Sequence, residues 1–448
     1  MAGVYDDVLE GVAQQLADVM WSREGLRAND ALDVDGAVRR VIFQLGLLVC
    51  SLLYSRLARD AVEAAKSRGL TINRSREILV TCLFGVVQVC SPYLRNRQTG
   101  DSERPVAARL GLSHLCRTTA VQRAMTDFGV ETAFELAADR FEEHYGHRPG
   151  RTSMLRVVED TASAAEEYVA RRLAGSPPPL KSRKPWAILL ELDGCEIRAG
   201  ELDRPEKGEA TKLTPVRELV AGTRPVGYRD VRLGFARGIN AEKSSRIWVG
   251  GLEDYDALAE RLHRAAVHCG LEPGVMVVAV VDGGNGIREA LERRFKGLIV
   301  VLDRPHLKSH LHATAAVMPF DDDEQRKAWV ELMLMRFGDG DAELVLDVLE
   351  GYEGAGAERV AQLTKHLRRF HDAIHYGLYK HVGIPIGSGE GESGHKSVVQ
   401  PRMKRPGAVW HPETITPMVA LRVVRANGWW DDFWRARGEA LRPKAAAA

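Results

Sequence analysis

Three carboxylates in the second half of the chain stand where apolar runs stop or a helix begins. Asp193 follows WAILLEL (186–192), Asp282 follows VMVVAVV (275–281), and Glu392 opens a helix after the glycine-rich IPIGSGEG (384–391). Carboxylates delivered to one point from separate elements suit phosphodiester chemistry with two divalent cations about 3.5–4 Å apart. Mg²⁺ or Mn²⁺ fits such a set of hard oxygen ligands. Neighbouring strands lie only about 5 Å apart, so acids at the ends of paired strands converge. Each acid alone has a plainer reading: Asp193-Gly194 as a tight turn, Asp282-Gly283 as a strand-to-loop transition, Glu392 as a first-turn complement to the helix dipole. Only the three together, in this element order, read as a catalytic and metal-binding triad.

Other polar residues gather around these positions. Asp303, His306 and Lys308 follow the apolar run GLIVVLD (297–303). Asp303 reads either as a helix N-cap or as a group orienting the metal ligands, with His306 placed to meet a phosphate. Lys396 comes one helical turn after Glu392, with His395 beside it. It forms an intrahelical pair or neutralises the scissile phosphate. Glu390 is about 200° round an ideal helix from Glu392, so its replacement is expected to be tolerated.

These residues need a scaffold. The sequence predicts a strand over 186–192, a tight turn at 193–194, a return strand over 195–201 and a third strand over 229–237. A helix over 252–270, a buried strand over 275–281, a helix over 285–295 and a buried strand over 297–303 follow. Residues 305–383 are read as a helical insertion, and 384–444 as the glutamate helix with a basic, tryptophan-rich tail. Upstream, AGSPPPLKSRKP (174–185) is a proline-rich basic linker carrying Lys181, Arg183 and Lys184. Residues 1–173 are expected to form an all-α domain. Within it, 131–146 and 151–168 flank the turn HRPG as in a helix-turn-helix, or as in a plain helical hairpin. Arg148, Arg151, Thr152, Ser153 and Arg156 crowd the start of the second helix, where DNA contacts would fall. Arg402, Lys404 and Arg405 belong to a basic stretch with Trp410, Trp429, Trp430 and Trp434 interleaved. That stretch reads as a phosphate-tracking surface with stacking platforms, or as a tryptophan core beneath a solvated basic face.

Composition narrows the class. A chain of 448 residues with 45% hydrophobic and 27% charged residues has room for two or three packed units. A net charge of +1 excludes a protein that coats DNA over its whole surface. The acidic N-terminus lacks the pattern of a signal peptide. The apolar run from Val41 to Tyr54 falls short of the ~20 residues that span a bilayer, so a buried helix is expected there and no membrane partner. The six cysteines form no CxxC pair, which fits a reducing cytoplasm.

Four blocks carry a more specific signal: LELDG (190–194), VVDGG (280–284), VLDRPHLKSHL (301–311) and IPIGSGEGESGHKSVVQPRMKRPGAVW (384–410). They resemble the successive motifs of the Kra-type bacterial insertion-sequence transposases, DDE enzymes similar also to the Lre-type group. In the last block Gly387, Ser388, Gly389, Glu392, Ser393 and Lys396 fill the family pattern, and NGWWDDFW (427–434) resembles its closing segment. The resemblance implies an α/β fold whose core is an RNase H-like mixed sheet interrupted by a helical insertion. It also implies two Mg²⁺ or Mn²⁺ ions, double-stranded DNA at element ends and target, and a homodimer or higher synaptic oligomer associated with the nucleoid. Two other functions compete. ILLELDGC echoes a haloacid dehalogenase-like phosphatase, but Glu191 stands where that chemistry needs an aspartate nucleophile and Gly286 where it needs an acid. A non-catalytic DNA-binding derivative of a transposase is the other.

Overall fold

The computed structural model describes residues 6–23, 34–112, 116–179, 184–200, 226–239, 246–284 and 286–440; Lys181 and Arg183 lie outside them. The chain is a mixed α/β protein that divides into two units, Met1–Val157 with Ala436–Ala448, and Val158–Arg435. The division falls inside a long helix rather than at the proline-rich segment.

The first unit begins with α1 (Asp6–Arg23) and α2 (Val34–Ser67), followed by β1 (Leu70–Arg74), β2 (Glu77–Cys82), β3 (Gly85–Cys90), β4 (Tyr93–Asn96) and β5 (Ser102–Glu103). The expectation of an all-α N-terminal domain is therefore corrected. EILVTC and GVVQVC alternate with period two around the turn Leu83-Phe84, and the pair registers from Glu77↔Cys90 to Cys82↔Gly85. Val80, Cys82, Val87 and Val89 from its inner face pack with Ala58 and Ala61 of α2. The strong helical periodicity upstream hid this hairpin. A second correction concerns α2. Its apolar run forms a helix but is not buried, with Leu48 63% and Leu52 61% exposed. By length and composition α2 is apolar enough to cross a membrane. Helices α3 (Pro105–Arg109), α4 (Thr119–Gly129), α5 (Phe134–Tyr145) and α6 (Arg151–Ala174) follow. Gly146, in the left-handed region at φ +71, ends α5 where the sequence predicts the turn.

The second unit is built on one five-stranded sheet from β6 (Ala187–Gly200), β7 (Val226–Ile239), β8 (Arg246–Gly251), β9 (Met276–Val281) and β10 (Ile299–Leu302). Spatial order is β10-β9-β6-β7-β8. The first three strands are antiparallel, while β9 and β10 run parallel to β6. Here the predicted turn at Asp193-Gly194 is overturned. β6 runs through it unbroken for 14 residues, with Asp193 opposite Leu233 and Gly194 opposite Arg232. The "return strand" is the second half of β6, β7 is the true partner, and β8, RIWVGG, went unrecognised. A strong turn dipeptide gave way to a partner strand long enough to satisfy both halves.

Between β8 and β9 lies α7 (Tyr255–His268), capped by Asp254, and between β9 and β10 lies α8 (Ile287–Arg294). Successive residues of β7 point to opposite faces. A Cβ on Gly234 would meet Leu262 of α7, whereas Phe235 packs edge-on to Trp248, against which Gly394 lies. One face is thus covered by α7 and the other by the helix carrying Glu392. After β10 the chain enters α9 (Arg304–Ala315), α10 (Asp323–Asp339), α11 (Ala342–Glu350), α12 (Ala357–Arg369) and α13 (Tyr376–His381). It returns through the glycine-rich loop into α14 (Gly389–Gly394), a π-helical turn at His395–Val399 and α15 (Gln400–Met403). Helices α16 (Pro412–Ala426) and α17 (Trp430–Ala440) complete the described chain.

Candidate active site

Register brings the acids of the sheet level. Each β6 residue pairs with the β9 residue 89 positions later, from Ala187↔Met276 to Glu191↔Val280. Carried two steps further, the same offset sets Asp193 beside Asp282. Each β9 residue pairs with the β10 residue 21 positions later, ending at Val281↔Leu302, so Asp303 stands next in the row. Three aspartates therefore occupy one level across three adjacent strands, at the ends of β9 and β10. The broad apolar faces below them are what force this register: a slip by one residue would turn Val278, Val280 and Val301 away from the helices that bury them.

The three aspartates are used differently. Asp303 is fully buried and caps α9. Its Oδ2 accepts from the His306 backbone N–H at 3.0 Å and lies 2.6 Å from Nδ1 of the ring, while Oδ1 accepts from the Ser388 N–H at 2.7 Å. Burial opposes the charge, yet these hydrogen bonds hold Asp303 below the ordinary carboxylate range. The same hydrogen bond to Asp303 raises His306, despite partial burial, with help from the charges of Asp282 and Glu392. Asp193 is raised mainly by burial; Asp282 pushes it further, while His395, the Gly194 N–H and His306 pull it back. One imidazole, His306, thus feels all three candidate catalytic acids.

Glu392 arrives through a clamp that sequence reading missed. The Gly391 N–H donates to Glu191 Oε2 at 2.6 Å, and a Cβ on Gly391 would come within 3.4 Å of Glu191. Gly394 is tighter: a Cβ would overlap the Trp248 ring at 2.1 Å. The two glycines let α14 lie directly on the sheet. His395 Nε2 lies 2.8 Å from the Asp193 carbonyl oxygen, tying the π-helical turn to β6. Glu390, whose replacement the sequence reading expects to be tolerated, is engaged by the sheet: Arg237 Nη2 donates to it at 2.7 Å and Arg246 completes the grip. Helical geometry turns Glu390 toward β7 and β8 as it turns Glu392 toward His306. Glu191 could not be found by pattern because it is one apolar-run interruption among many.

Two further histidines line the region. His310 sits one turn after His306 on α9, its ring 5.3 Å from that of His366 on α12. Burial lowers both, and both feel Asp282. Gly283, at φ +86, leaves room for the His366 ring, which a Cβ would meet at 2.6 Å. The spacing of His306 and His310 was visible in HLKSH; His366 had no signal.

Not every expected residue joins the site. Lys308 pairs with Glu331 of α10 at 2.6 Å. Lys396 lies 3.6 Å from Glu392, the intrahelical pairing, with its side chain 70% exposed. Lys184 pairs with Glu272. Arg148 bonds Asp139 and Glu135 of α5, and Ser153 accepts from Arg117 at 2.9 Å, leaving Arg151, Thr152 and Arg156 as exposed residues at the start of α6. Arg402 is corrected from a surface contact to a buried one, 4% exposed with its guanidinium over the Trp410 ring. Trp410, Trp429 and Trp434 are buried too, so they serve as core rather than stacking platforms, while Lys404 stays exposed and Arg405 is half-buried.

Among the described residues, no three His, Cys, Asp or Glu side chains stand close enough, as oriented, to hold a metal ion. Asp193 and Asp282 each turn one oxygen to a backbone N–H, of Gly194 at 2.7 Å and Gly284 at 2.8 Å. The chemistry of the set nevertheless suits a hard cation. Its donors are carboxylate oxygens, and burial with mutual repulsion disfavours the charge on Asp193, a strain that a cation relieves. Compared with known proteins, the chain matches no family model and no curated protein.

Proposed function

We propose that the chain is a metal-dependent DNA strand-cleaving and strand-transferring enzyme of the DDE transposase kind, built on an RNase H-like core. The observation that carries this reading is the level row of Asp193, Asp282 and Asp303, with Glu392 brought in from α14 so that Asp193, Asp282 and Glu392 all act on His306. The strand order supports the core: three antiparallel strands, then two added parallel to the first on its other side. Asp193, Asp282 and Glu392 would hold two Mg²⁺ or Mn²⁺ ions. Ions held there would supply activation of the attacking oxygen and charge stabilisation at the leaving one. Asp303 fixes the His306 ring and favours its protonated form, which then offers an N–H to a phosphate oxygen. Lys396, largely exposed, is free to swing from Glu392 to the DNA backbone. Arg151, Thr152 and Arg156 on α6 are the residues best placed to contact duplex DNA, the proposed partner at element ends and target. A synaptic homo-oligomer in the nucleoid-bearing cytoplasm belongs to the same proposal.

A phosphatase reading is disfavoured by the same geometry, since Glu191, at the nucleophile position, is 1% exposed and bonded to the Gly391 N–H. The test is cleavage of duplex DNA carrying the ends that flank the encoding element, with and without Mg²⁺ or Mn²⁺. Wild type should nick at the ends only with metal, and Glu392→Gln should bind equally well but not cleave. Metal-independent cleavage, or full activity in Glu392→Gln, would refute the assignment.

A further inference from the structure

We propose that the outer face of α2 is a self-association surface, on which a second copy of this chain lays the same helix. Two stripes run along α2. At about 100° per residue, Leu47, Cys50, Tyr54 and Ala58 share one side and pack on the β2–β3 hairpin. Val38, Val41, Leu45, Leu48 and Leu52 lie on roughly the opposite side, spaced three and four residues apart. That alternating spacing is the heptad seam by which one helix packs against another of the same pattern. Leu48 and Leu52 are the most exposed of the five, at 63% and 61%.

Area favours a second copy. With the flanking Ile42, Val49 and Leu53, also exposed, the seam offers on the order of 500 Å² of apolar side chain per copy, at the upper range for a monomer's patch. With its polar margin it approaches the roughly 800 Å² per partner of a standard stable interface. An isologous contact needs only this one patch, used twice. Lipid fits the face less well. Length and composition alone would let α2 cross a bilayer, but a spanning helix presents apolar side chains to lipid all round. The inner side of the same helix is committed to the hairpin, where a Cβ on Gly46 would already overlap the Phe84 ring.

Sedimentation velocity on the full chain tests this without DNA or metal, independently of the proposed activity. Wild type is expected to be a dimer at micromolar concentration, and the double substitution Leu48→Asp with Leu52→Asp to raise its dissociation constant at least a hundredfold. The residues are exposed, so circular dichroism should be unchanged, and the variant should melt like wild type diluted below its dissociation constant. Leu378→Asp, at another exposed leucine, should remain dimeric. Because Leu48 is the midpoint of the uncharged stretch from Val41 to Ser55, Leu48→Cys should give an oxidative cross-link absent from wild type whichever way the helices run. A wild-type monomer, or a double variant that dimerises like wild type, would overturn the proposal. So would loss, in that variant, of wild-type binding to phosphatidylglycerol-containing vesicles with no change in oligomeric state.

Discussion

Burying Glu191 beneath α14 makes stability depend on pH in a calculable way. Burial, partly opposed by the Gly391 N–H and reinforced by Glu390, pushes its carboxyl up from 4.5 to about 7. A carboxyl raised in the folded state contributes stability that is complete below its unfolded pKa and is lost as pH rises through the folded value, here between 4.5 and 7. A shift of that size corresponds to about 3 kcal/mol at 1.36 kcal/mol per unit. Glu191→Gln keeps an oxygen to accept from Gly391 but removes the titration. The stability of the variant relative to wild type should therefore improve by about 3 kcal/mol between pH 4.5 and 8. Urea unfolding followed by tryptophan fluorescence at several pH values measures this, since seven of the eight tryptophans lie in the unit Val158–Arg435. Other raised carboxyls, Asp193 and Glu253 among them, affect both proteins alike and cancel in the difference. An offset that stays constant from pH 5 to 8 would refute the reasoning, because the buried carboxylate would then carry no proton-linked penalty.

Glu390→Gln, which weakens the grip of Arg237 and Arg246, should lower the cleavage rate roughly tenfold to a hundredfold while leaving DNA affinity unchanged; single-turnover nicking beside a gel-shift titration separates the two. Gly394→Ala should destabilise the protein by about 1–3 kcal/mol, because its methyl would drive into the buried Trp248 ring, and Gly391→Ala by less; denaturant midpoints rank them. Charge reversal at Arg151 and Arg156 should weaken duplex binding and flatten its salt dependence, and an unchanged slope of log affinity against log salt would return α6 to a packing role.

Much of the site could be read from sequence because its signals are local. Continuous apolar runs mark β9 and β10 as covered on both faces, so Asp282 and Asp303 are seen to end strands. The glycine pattern before Glu392 marks a loop feeding a helix. The helices of 305–383 follow from three- and four-residue spacing. What misled were features whose meaning depends on a distant partner. Asp193-Gly194 has the composition of a turn, and only the pairing of β6 with β7 along its whole length keeps it extended. Arg402 and the tryptophans have the composition of a nucleic-acid surface, and only tertiary packing, with Trp410 under Arg402 and Trp434 against Phe433, makes Arg402, Trp410, Trp429 and Trp434 core. Glu390 and Glu392 are chemically identical two residues apart. Which one is gripped by the sheet and which one acts on His306 is decided by where Arg237, Arg246 and Glu191 hold the helix, and those residues lie 144 to 200 positions away. Periodicity is a property of neighbouring residues and survives in the sequence; register, burial of charge and helix rotation are properties of contacts, and exist only once the sheet and α14 have met.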